Sequence, residues 1–107
     1  KSHSDHGFVE PVIYFNPAIA PSQIINISDF IGQSKNHYLM GSMGKLYSEK
    51  DGGRSLHYFF FNDEYKMINH QLITIGDRVR DLVFSKKHNL IFVFLESSGS
   101  ILMIKGN

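Results

Sequence analysis

The chain has no cysteine and only three prolines, and its eleven Lys and Arg against ten Asp and Glu leave a formal net charge of +1 over 107 residues. Without thiols there can be no disulfide, no thiolate catalysis and no Cys-ligated metal, and the chain is compatible with a reducing or an oxidising compartment. A near-neutral balance gives no field of the kind that draws a protein onto nucleic acid or an anionic membrane. No apolar run is long enough to span a bilayer, and no basic start leads into an apolar stretch and a small-residue cleavage site. The opening Lys1-Ser2-His3-Ser4, which lacks an initiating Met, fits a mature form, a trimmed chain or a piece of a longer reading frame.

What is present favours strands. Hydrophobic residues make up 42% of the chain and aromatic residues 13%, mostly Phe, Tyr, Ile, Leu and Val, which suits one small β-rich domain. Residues 1–7 are polar and without periodicity, and read as a disordered lead-in; His3 and His6 there fit a frayed terminus better than a metal site. Residues 8–107 read as a single all-β domain. Phe8 to Phe15 is β-prone, and Pro17 and Pro21, which lack an N–H for a ladder, follow it as a loop over a sheet edge.

Strand signals then recur at regular intervals. Ile24 to Ile27, His37 to Met43, Arg54 to Asn62 and Tyr65 to Gly76 read as a four-stranded antiparallel meander over 24–76. Val79 to Ser85, Leu90 to Glu96 and Ser100 to Lys105 read as a three-stranded, incomplete sheet over 77–107. Leu90 to Leu95 is apolar at every position, so both faces of that strand are expected to be covered. Two architectures fit: a seven-stranded sandwich or roll, and two successive blades of a propeller whose last blade takes a strand from elsewhere.

Three segments resemble the glucose/sorbosone dehydrogenase family, the soluble six-bladed propellers that use pyrroloquinoline quinone (PQQ). They are Asn16-Pro17-Ala18-Ile19-Ala20-Pro21-Ser22; Tyr38-Leu39-Met40-Gly41-Ser42-Met43 with Gly53-Arg54-Ser55-Leu56; and Gly76-Asp77-Arg78-Val79-Arg80-Asp81-Leu82-Val83. Their order and spacing agree with the family's last two blades, over nearly all of the chain after Phe8. The chain departs from the family at Phe15 or Asn16, where Trp is frequent, and at Gln23, where Gly is.

Arg78 and Arg80 stand two apart, so on an extended strand both leave the same face, roughly 7 Å from one to the next. Guanidinium groups take carboxylates in pairs of hydrogen bonds and keep their charge. Leu82 and Phe84 are expected to continue that face with apolar groups, and the alternative partners for the arginines are Asp77 and Asp81. The resemblance implies that Arg78 and Arg80 contact the quinone cofactor, and Lys45, in the loop after Gly44, resembles the family's cofactor-contacting lysine. It implies that the full protein would transfer two electrons from a sugar hydroxyl to the quinone, with a catalytic His and a calcium site on earlier blades; calcium is not expected on this segment. His37, His57, His70 and His88 match none of those motifs, and Tyr14, Tyr58 and Phe59-Phe60-Phe61 read as packing residues before stacking platforms.

The resemblance therefore implies that this chain is part of a PQQ-dependent sugar dehydrogenase, an oxidoreductase of the periplasm or a secreted pool, and catalytically incomplete alone. The alternative is a stand-alone β-rich interaction module. In either case the final strand offers an apolar edge, so the expected partners are further copies of the chain, as a homo-oligomer, or the missing N-terminal blades. A sugar substrate belongs to the full-length form.

Overall fold

The computed structural model describes residues 19–44 and 53–106, and within them every element is a strand. The strands are β1 (Pro21–Asn26), β2 (His37–Ser42), β3 (Ser55–Phe61), β4 (Met67–Thr74), β5 (Val79–Ser85), β6 (Leu90–Leu95) and β7 (Ser100–Lys105). They form two antiparallel sheets, in the orders β1-β2-β3-β4 and β5-β6-β7. The all-β class and the division into two sheets agree with the sequence reading.

Turn chemistry sets the strand ends. Asn62 Oδ1 accepts the N–H groups of Glu64 and Lys66, both at 2.9 Å, closing the β3–β4 turn and leaving Tyr65 at φ 59. That left-handed residue is why β4 starts at Met67 and not at Tyr65. Asn89 (φ 51) and Gly99 (φ 66) close the hairpins on either side of β6. Pro21, expected in a loop, opens the edge strand β1 instead, where its missing N–H costs no ladder bond.

One core lies between the sheets. Leu39 and Leu56 of the first sheet and Val79, Leu82, Ile91, Val93 and Leu95 of the second are buried in one cluster with Ile27. A second cluster, on the far face of the first sheet, contains Ile19, Met40, Phe59 and Phe61. Tyr58, Phe59 and Phe61 are thus packing residues, while Tyr14 lies outside the described residues.

The second sheet is covered unevenly. Ile91, Val93 and Leu95 are buried against the first sheet, whereas Leu90, Phe92 and Phe94 are half-buried. Phe92 pairs with Met103, Phe94 with Ile101 and Phe92 with Val83. That face carries Ile101 at 60% and Met103 at 58% exposure. Among the described residues, the expectation that both faces of β6 are covered therefore holds fully for one face and only in part for the other.

Candidate functional site

Antiparallel pairing brings the starts of β1, β3, β5 and β7 to one end of the molecule, with the ends of β2, β4 and β6. The link from β4 to β5 crosses this end. Ile75 and Gly76 both donate N–H to the carbonyl of Arg54, at 3.2 and 2.9 Å, tying that link to the start of β3. Asp77 then accepts N–H groups from Arg78 (2.7 Å), Ser97 (2.9 Å) and Ser98 (3.2 Å), tying it to the β6–β7 turn. Hydrogen bonds from Ser98 and then from Ser97 and Arg78 hold the Asp77 carboxyl down at about 2.

Arg78 and Arg80 do converge, on Glu96 and not on Asp77 or Asp81. Glu96, just past β6, lies 2.8 Å from Arg78 Nε through Oε1 and 2.6 Å from Arg80 Nη1 through Oε2. The Arg80 contact is an aligned hydrogen bond, whereas Arg78 Nε makes a charge contact without hydrogen-bond alignment. Arg80's hydrogen bond, followed by the charge of Arg78, holds Glu96 below its ordinary value. Asp77 binds backbone N–H groups, and Asp81 accepts the N–H of Leu82, at 2.8 Å. Two guanidiniums on one carboxylate leave a single positive charge.

The expected facing of Leu82 and Phe84 is corrected by a bulge. Val79 pairs with Leu95 and Asp81 with Phe94, so Arg80 is the extra residue of β5. The bulge shifts the alternation by one residue, so that Val79 and Leu82, three apart, are both buried while Arg80 points to solvent. Arg80, Asp81, Phe94, Glu96, Gly99 and Ile101 border a recess of about 500 Å³. Lys45, the third expected site residue, lies outside the described residues.

Other clusters were not evident in the sequence. His57 is buried, and its Nδ1 is 2.9 Å from Nε2 of the exposed His70 on β4. The ring centroids are 5.2 Å apart with the planes 14° from parallel, and the tautomers set which of the two nitrogens donates. Burial pushes His70 below its ordinary value. His37 Nδ1 is 2.6 Å from the hydroxyl of Tyr58, whose pKa burial raises. Among the described residues no three His, Asp or Glu side chains converge as metal ligands.

Sequence reasoning missed Glu96, Arg54 and Ser22. Glu96 was within reach of it: counting back from the four-residue turn through Ser85 and Leu90 sets the end of β6 against the start of β5. The described residues thus define an all-β protein of two antiparallel sheets with a charged, loop-built end. Comparison with family models, curated proteins and solved structures finds no match.

Proposed function

We propose that this chain is a two-blade stretch of a β-propeller and that it supplies part of the quinone-binding wall of a PQQ-dependent sugar dehydrogenase, without being catalytically complete by itself. The observation that carries the reading is the path of β5. After the outer strand β4 the chain returns across the end of the sheet, and β5 packs on β1 and β2. Successive propeller blades are joined this way, each inner strand following the previous outer one, and their ligands lie at the mouth where the inner strands meet. Arg78 and Arg80 stand at the start of such an inner strand.

The donors suit a ligand rich in carboxylates in type and charge, since two guanidiniums share Glu96 and retain one net positive charge. In this reading a quinone carboxylate competes with Glu96 for Arg78 and Arg80. The quinone, when bound, would supply the two-electron redox chemistry; Arg78 and Arg80 would bind and orient it. In this reading the calcium and the proton-abstracting base come from other blades. The test is calorimetric titration with PQQ of the chain and of an Arg78→Ala, Arg80→Ala variant, beside a glucose and dye-acceptor assay. Binding lost in the variant, with no turnover by the chain alone, is expected; turnover by the chain alone would overturn the reading.

A second reading, a self-associating interaction module, is favoured by the apolar edge strand β7. Ile101, Leu102 and Met103 are 60%, 40% and 58% exposed there. Light scattering that shows a monomer at every concentration would overturn it.

A further inference from the structure

We infer that the end of the sheets where β1, β3 and β5 begin binds a carboxylate-bearing ligand through Arg54 as leading donor, with the Ser22 hydroxyl at the same end. This rests on the proposed carboxylate-binding mouth, but it moves the principal contact away from Arg80. Among the described residues Ser22 Oγ, Arg54 Nε and Arg78 Nε are buried without an aligned hydrogen bond, and of these Arg78 Nε lies 2.8 Å from Glu96 Oε1. Buried donors are nearly always satisfied, and each orphan costs free energy that some acceptor should recover.

The three residues that carry these atoms lie at one end of the sheets. Ser22 follows Pro21, which pairs with Ser42 at the end of β2, and Arg54 precedes Ser55, which pairs with Thr74 at the end of β4. The Arg54 carbonyl holds the N–H of Gly76, two residues before Arg78. Gly41 brings the remaining pieces together: a Cβ there would overlap Val79 and stand 2.8 Å from Ser22 Oγ, so the absence of a side chain lets β1 and β5 close over β2.

Charge accounting singles out Arg54. Arg78 and Arg80 share Glu96, and Asp77 is saturated by backbone N–H groups. Arg54 is half-buried and takes part in none of the ion pairs among the described residues. Its backbone sits at φ 50, a region that side chains other than Gly rarely adopt, and the bonds from Ile75 and Gly76 hold it there. A guanidinium presents Nε and one Nη along a single edge, which matches the two oxygens of a carboxylate. Arg78 Nε already faces Glu96, so the edge that remains for a ligand carboxylate is that of Arg54.

The experiment titrates the full chain with citrate, inorganic phosphate and PQQ in turn, following heat and melting temperature. The variants are Arg54→Gln, Arg54→Lys, Ser22→Ala and Arg78→Ala with Arg80→Ala. Expected are a citrate-dependent rise in melting temperature, at least tenfold weaker binding in Arg54→Gln, partial retention in Arg54→Lys, and an unliganded Arg54→Gln that melts no lower than wild type, because the lost group had no partner. Phosphate binding as tight as citrate would overturn the carboxylate assignment. Citrate binding unchanged in Arg54→Gln, or absent from wild type, would overturn the site. An unliganded Arg54→Gln and Arg54→Lys that both melt well below wild type would make Arg54 structural and overturn it also. PQQ binding lost in the double variant but untouched in Arg54→Gln removes this inference and leaves the proposed function; the reverse pattern does the opposite.

Discussion

Val79 packs so closely on Gly41 that a methyl group at Gly41 would overlap its Cγ1. Here β2 and β5 meet with no side chain between them, and the contact fixes how near the second sheet lies to the first. Gly41→Ala must push the sheets apart or distort β5, at a cost of about 1–3 kcal/mol. Gly32→Ala is the control: it has φ 72 but open space around the Cβ position, so its cost is confined to the backbone, about 1–2 kcal/mol. Urea denaturation of both variants should show two losses of stability, of which only that of Gly41→Ala falls sharply when Val79→Ala is added.

The bulge at Arg80 makes a second prediction. Regular alternation from Val79 would bury Val83, whereas the observed pairing buries Leu82 and leaves Val83 43% exposed. Leu82→Ala should cost about 2–5 kcal/mol and Val83→Ala within about 0.5 kcal/mol. Equal losses measured by denaturant unfolding would mean that the strand runs without the bulge.

Asp77 holds the β4–β5 link to the β6–β7 turn. Its folded pKa of about 2 lies below the ordinary 3.8, so its contribution is fully present above pH 3.8 and is lost as pH falls toward 2. Amide exchange should show Ser97 and Ser98 protected down to about pH 3. Asp77→Asn should release both amides even at neutral pH, and protection that survives the substitution would contradict this role.

The facing imidazoles of His57 and His70 give a different pH dependence. Burial lowers the folded pKa of His70 below 6.5, so the unfolded chain binds more protons as pH falls. Stability should be full above pH 6.5 and decline below it. In His70→Phe the part of this slope due to His70 should disappear; an unchanged slope in melting temperature between pH 7.5 and 5 would contradict it.

Much of the fold was legible because each signal was local. Turn residues such as Asn89 and Gly99 bracket β6 in sequence as they do in space, and strand alternation needs no knowledge of the partner. The site was less legible because its geometry depends on register. That Arg78 and Arg80 point the same way follows from their spacing, but their capture by Glu96 depends on the pairing of β5 with β6 through a bulge. Val79 and Leu82, apolar and three apart inside a period-two stretch, were the one trace of that bulge in the sequence. That Arg54 joins no ion pair among the described residues could not be read at all, since it is a property of what surrounds the side chain and not of the residue.

Uptake of the quinone by the cationic end is the most direct test of the proposed role. Calorimetric titration of the purified chain with PQQ in calcium, beside the Arg78→Ala, Arg80→Ala variant, should show saturable binding that the variant loses. No saturable heat from the wild-type chain, or equal binding by the variant, would contradict it.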